Sequence, residues 1–370
     1  MWPERQKHTW LCPVAKNRNR ITTPKCGFHC RPRKHSDYLG TNRKTNPMDL
    51  FSSLGASLAS PMVLAFLLGI VATLLRSDLK FPEGMYLGLT IYLLFSIGLK
   101  GGVKLSAVSP SDFIRPCAAA LFMCSLIPVM GFYILRYLGK MDVANAAAIA
   151  AHFGSVSAVT FSEGTAFLDM LKIPYEGYMP AMLAIMEIPA IIISIYLFKR
   201  AMPAKESGMG KVLHELFTNK GTMLLLGGLT IGILTGKKGF EQVAPLYDGL
   251  FRGMLCLFLL EVGLVTGRRL YDLKKVGFAL LAFGLLMPTV HATLGIYIGQ
   301  MAGLSMGGAT IFGLLCASAS YIAAPAAIRI AIPEANPTYY LTGSLAIAFP
   351  FNVTIGLPLY LTIAKHLFGS

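Results

Sequence analysis

The stretch Ala-Ala-His-Phe-Gly-Ser-Val-Ser-Ala-Val-Thr at residues 150–160 sets a glycine and three hydroxyl residues inside an otherwise apolar run. A second stretch, Cys-Ala-Ser-Ala-Ser-Tyr-Ile-Ala-Ala-Pro at 316–325, does the same ahead of a proline. A helix in lipid satisfies its own backbone. A break in one is tolerated only where protein or a water-filled cavity surrounds it. Such a break frees N–H groups and a positive dipole end for an anion, and carbonyls and hydroxyls for a hard cation. Helix packing through small residues accounts for either stretch alone. Two of them at corresponding places in a repeat point to a binding site. The candidate binding residues are Gly154, Ser155, Val156, Ser157 and Thr160, with Ser318, Ala319, Ser320 and Tyr321.

The rest of the chain suits that reading. Of 370 residues, 54% are hydrophobic and 14% charged, with mean hydropathy +0.59. Soluble domains carry about 25% charged residues. Apolar runs approach the length of a bilayer span, about 17–25 residues. The sequence predicts ten membrane segments, near 61–76, 83–99, 112–138, 143–169, 178–198, 221–236, 246–267, 275–301, 305–330 and 338–366.

The two halves repeat. Phe95-Ser-Ile-Gly-Leu99 resembles Leu260-Glu-Val-Gly-Leu264, 165 residues on, and Leu183-Ala-Ile resembles Leu345-Ala-Ile, 162 on. Ser155 and Ser157 correspond to Ser318 and Ser320. Five segments per copy is an odd number, so the second copy enters from the opposite face, as in inverted-repeat transporters. The fold class is therefore all-α and polytopic, with two inverted five-helix repeats and broken crossing helices. Residues 48–200 form the first repeat, 201–220 a cytoplasmic loop and 221–370 the second repeat. Loops after the odd segments carry 14 Lys and Arg against eight on the other side, which places them in the cytoplasm.

Residues 1–47 differ: 11 Lys and Arg face two acids, a charge of +9 in the chain's total of +15. This stretch reads as a disordered leader, with Met48 as the functional start. No basic face with interleaved aromatics appears, so no nucleic-acid partner is expected. Cys26 and Cys30 lack a second matching pair for zinc.

Acids inside spans are functional hypotheses by default. Glu187 precedes Ile188-Pro189, and Glu261 lies in the 255–265 run. Sodium ligands are expected from Ser318, Ser320, Glu187 and Asn352, with Glu261 in a charge-sensing role. His152 and His291 also lie at depth and read first as packed residues. His214-Glu215 has no second His to complete a metalloprotease motif, and neither a Walker A loop nor a G-x-S-x-G elbow occurs. No enzyme is expected; an ion gradient must supply the energy.

From Met48 onward the chain resembles the SbtA-type sodium-dependent bicarbonate transporters of cyanobacteria and other bacteria. The carrying residues are Ile332-Pro-Glu-Ala-Asn-Pro337 with Gly343-Ser344, Ile97-Gly-Leu-Lys-Gly-Gly102, Phe153-Gly-Ser-Val-Ser157 with Thr160, Glu187-Ile-Pro-Ala190, and Leu250-Phe-Arg-Gly253. The resemblance implies sodium-coupled bicarbonate uptake across the inner (cytoplasmic) membrane, with sodium as coupling ion and the site where the fourth and ninth segments cross. It also implies a homotrimer in the lipid bilayer and, in some members, a PII-like regulatory protein on the cytoplasmic face. The chain departs at Tyr321 and Glu187, where cyanobacterial members carry Asp. Two further readings stay open from the residues: uptake of another small anion, and sodium–proton exchange through Glu187 or Glu261.

Overall fold

The computed structural model describes residues 54–55, 57–202 and 209–369. The leader, its proposed end at Met48 and residues 203–208 of the 201–220 loop lie outside them. Helix is the regular structure of the described residues, with no strand among them.

Helix α1 spans Pro61–Leu74 and α2 Glu83–Leu105. Proline at the first turn of α1 costs no hydrogen bond, because that N–H would be unpaired anyway. Helix α3, Pro110–Tyr133, runs on through a widened turn, Ile134–Leu138. Then come α4, Val143–Gly154, and α5, Ala158–Met170, followed by α6, Met179–Glu187, and α7, Pro189–Ala201. The 201–220 stretch, expected to be loop, holds a helix, α8, Met209–Thr218; α9 is Lys220–Glu241, α10 Phe251–Leu270 and α11 Leu273–Met301. Helices α12, Met306–Ala317, and α13, Ala324–Ala331, flank the second break, and α14 runs over Pro337–Leu367. Two widened stretches interrupt α14, Thr342–Ala348 and Asn352–Gly356. They alternate with Pro350 and Pro358, whose missing N–H groups leave the ordinary ladder incomplete.

Helices thus lie where the sequence predicts segments. Among the described residues, six are long and apolar enough to cross a membrane: Glu83–Leu105, Pro110–Leu138, Val143–Met170, Met179–Ala201, Leu273–Met301 and Pro337–Leu367. The pair at 210–241, bent by 55°, adds a seventh. Pro61–Leu74 and Met306–Ala317 are apolar but shorter. Helices α9 and α11 are kinked at glycines with positive φ, Gly236 at 57° and Gly277 at 75°, a region closed to most side chains. Leu68, Leu234, Phe278 and Leu286 are exposed by more than half, as residues facing acyl chains are.

Glycines bring α2 and α9, and α1 and α10, into backbone-on-backbone contact. A Cβ on Gly98 would stand 2.3 Å from the Leu225 carbonyl oxygen, and one on Gly102 only 2.0 Å from that of Leu229. These glycines seat α2 on α9. Gly69 and Gly263 seat α1 on α10 in the same way, at 2.2 Å from Leu260 O and 2.1 Å from Phe66 O. Removing the Cβ lets helix axes approach where no hydrophobic force between helices exists.

Candidate functional site

The two stretches quoted at the outset are both broken. Helix α4 ends at Gly154, and Ser155 is extended at φ −86°, ψ 157°. Helix α12 ends at Ala317, and Ser318 is extended at φ −74°, ψ 162°. A Cβ on Gly154 would come within 2.9 Å of both Ala190 and Pro128, so the glycine lets α4 end between α7 and α3.

The breaks lie side by side. The Ser157 N–H donates to Ser318 Oγ at 3.0 Å, and Ser318 Oγ donates to Leu315 O at 2.8 Å. The Ser320 N–H donates to His152 O at 2.8 Å. Each serine also fastens a neighbouring element. Ser155 Oγ donates to Glu187 O at 2.7 Å, Ser157 Oγ caps α5 through the Thr160 N–H at 3.2 Å, and Ser320 Oγ accepts from the Ala324 N–H at 3.3 Å. Thr160, Val156 and Ala319 are buried around them. The Tyr321 hydroxyl is buried without a hydrogen-bond partner, beside Ser157.

Among the expected sodium ligands, Asn352 comes close to Ser318: its Nδ2 donates to Ala317 O at 3.0 Å, and its Oδ1 accepts from Tyr360 OH at 2.7 Å. Glu187 reaches the break by its main-chain carbonyl. Its carboxylate turns toward α9, with Oε1 3.8 Å from where a Gly221 Cβ would stand. Glu261, on α10, is buried with Oε2 unpaired, beside Tyr86. His152 Nδ1 pairs with Ala148 O at 2.7 Å, and its ring stacks on Tyr340 with centroids 4.4 Å apart. Both ring nitrogens of His291 are buried and unpaired.

One acid escaped the sequence reading. Glu163 on α5 is 2% exposed, with Oε2 unpaired. The rule that singles out Glu187 and Glu261, a carboxylate inside a span, applies to it equally.

A seam of cavities runs past α5. Tyr86, Thr90, Leu93, Ile97, Lys100 and Lys104 recur at helical spacing on α2 and form one wall. At one end, a cavity of about 680 Å³ reaches from Glu215, Asn219, Lys220 and Arg329 to Tyr321. At the other, a vestibule of about 200 Å³ is lined by Lys100, Ser162, Thr165, Asp169 and Phe251, with a mouth of about 410 Å³ that adds Arg252. Burial pushes the Tyr175 phenol there up to about 12, so it stays a neutral donor. Between the two ends the space narrows to about 10 Å³ among Leu93, Leu94, Val159, Phe258 and Ile322. Ala158, in the first turn of α5, borders that neck. The first N–H groups of a helix have no partner within it, so α5 turns its positive end toward the neck. Among the described residues, no three His, Cys, Asp or Glu gather into a metal cluster.

A comparison with curated proteins finds no match. A family model matches residues 61–365, from the start of α1 almost to the end of α14. With that match across the helical membrane architecture and both breaks, this multi-pass membrane protein belongs to the Na+-dependent bicarbonate transporter superfamily.

Proposed function

We propose that the chain takes up bicarbonate across the cytoplasmic membrane by coupling it to inward sodium. The observation that carries this reading is the pair of extended breaks tied together at Ser157 and Ser318, in a chain of that superfamily. An anion is held at the first turn of α5, by Ser157, Thr160 and the N–H groups that face the neck. Sodium lies at the end of α12, by Ser318, Ser320 and Asn352, and Glu187 and Glu261 act on it through charge. A cation bound beside an anion raises the affinity for both.

The matching fold is ten crossings in two inverted repeats, 48–200 and 221–370. The contacts support it: α1 and α2 correspond to α9 and α10, and α1 seats on α10 just as α2 seats on α9. The more basic loops put the Lys220–Arg329 cavity inside and the Lys100 vestibule outside.

The test is uptake of labelled bicarbonate into proteoliposomes with and without a sodium gradient. Uptake should follow the gradient and be lost in Ser155→Leu and Ser320→Leu while protein remains in the membrane. Uptake indifferent to sodium sinks symport. Sodium–proton exchange has one observation behind it, the unpaired carboxylate oxygens of Glu163 and Glu261. It predicts a sodium-driven pH change in bicarbonate-free vesicles that disappears in Glu163→Gln. That result would replace the first reading.

A further inference from the structure

Two motifs singled out in the sequence have no part in the paired breaks: Gly98-Leu-Lys-Gly-Gly102 and Leu250-Phe-Arg-Gly253. They meet at the vestibule. Lys100 Nζ lies 3.7 Å from the Phe251 ring centroid and 3.4 Å from Asp248 Oδ1. Arg252 reaches from α10 to Asp169 at the end of α5, at 3.3 Å.

Both ion pairs are long. Charge-assisted bonds of this kind ordinarily close to about 2.7–2.9 Å, as Lys275 does on Asp272 at 2.7 Å. Lys100 and Arg252 thus face their carboxylates across more than a closed charge-assisted bond, as Arg269 faces Asp272 at 3.4 Å. Lys104 has no ion-pair partner among the described residues. Its stem occupies the space left by the missing Gly177 Cβ, which would stand 2.9 Å from the Lys104 Cβ. Three cations against Asp169 and Asp248 leave one net positive charge. Hydroxyls of Ser162, Thr165 and Tyr175 border the same space. The Lys100 side chain is 28% exposed, and with an aromatic face against it the ammonium is partly withdrawn from water, where its pull on an anion is stronger.

We propose that this vestibule is a separate recruiting site for one small monovalent oxyanion. The anion takes the place of Asp248 on Lys100 and of Asp169 on Arg252 before it passes the neck. One net positive charge suits a monoanion, and the neck of about 10 Å³ keeps the site distinct from the breaks. The inference rests on the small-anion reading above.

Thr165 on the vestibule wall supplies a probe that needs no transport. In purified full-length protein carrying Thr165→Cys, residue 165 is reacted with an anionic and a cationic methanethiosulfonate of similar size. Modification is followed by peptide mass, and rates are taken relative to a free thiol. The anionic reagent should react faster by roughly fivefold or more. Adding Lys100→Met should remove most of that preference, and the remote Lys140→Met should not. Equal rates for the two reagents, or a preference that Lys100→Met leaves intact, overturns the proposal. Bicarbonate should slow the anionic reagent. If nitrate or formate slows it and bicarbonate does not, the recruiting site stands and bicarbonate as substrate falls. In sodium-driven uptake, Lys100→Met should raise the KM for external anion about fivefold or more with the maximal rate kept within about twofold. An unchanged KM also overturns the proposal.

Discussion

Replacing Ser318 by alanine removes one hydroxyl and two hydrogen bonds: the bond its Oγ accepts from the Ser157 N–H at 3.0 Å, and the bond it donates to Leu315 O at 2.8 Å. Ser157 and Ser318 are 4% and 1% exposed, so water does not replace the lost partner. A buried N–H left without an acceptor costs about 1–3 kcal/mol. If that cost falls on the arrangement in which the breaks are tied, its population drops roughly 5- to 150-fold relative to untied arrangements. Ser318→Ala should therefore melt earlier in detergent and need more sodium for half-maximal bicarbonate uptake. Ser318→Thr keeps the hydroxyl and should restore most of both. Sodium titration of uptake and a melting curve on the same preparation check the two effects together. Ser318→Ala with parental melting and parental sodium dependence would refute the claim that this hydroxyl holds the breaks together.

Gly102→Ala would place a Cβ 2.0 Å from the Leu229 carbonyl oxygen, so α2 and α9 must separate. The cost expected is about 1–3 kcal/mol, read as a lower melting temperature, whereas Gly253→Ala meets nothing within 4 Å and should behave as the parent. Asp272, in the turn between α10 and α11, is held below the usual carboxylate range by Lys275 first and then Arg269. A depressed native pKa stabilises the fold above the unfolded value and ceases to do so as pH falls through the native one. The gap in stability between parent and Asp272→Asn, under about 1 kcal/mol for such exposed pairs, should stay constant from about pH 8 to pH 5. It should narrow only at lower pH; narrowing between pH 7 and pH 5 would show that the pairs do not hold the carboxylate ionised.

The breaks were legible because they depend on local chemistry. Gly154 with serines on its C-terminal side, and Ser318 and Ser320 ahead of Pro325, mark places where a helix can stop inside an apolar run. The partners of these residues were less accessible. Nothing near Ser155 says that its hydroxyl will hold a carbonyl 32 residues away. The direction of the Glu187 carboxylate depends on where α9 packs. Asn352 is an expected sodium ligand, and its oxygen is engaged by Tyr360, eight residues on. Glu163 needed no structure, only the rule already applied to the other two acids. The vestibule joins α2, the end of α5, the 171–178 loop and the start of α10, and no sequence spacing relates those pieces.

The glycine-seated pairs carry a mechanical consequence. Where the nearest atoms of two helices are main-chain atoms, as between Gly98 and Leu225 or Gly263 and Phe66, no side chain can rotate aside to let one helix ride over the other. Displacement there drives main chain against main chain with no rotamer change to relieve it, so α1 with α10 and α2 with α9 resist relative movement. Compliance collects instead where main chain leaves the helical ladder: residues 155–157, the joint at Ile188, and 318–323. A load from bound ions or from the bilayer should therefore bend the molecule at these joints before it shifts the glycine seams.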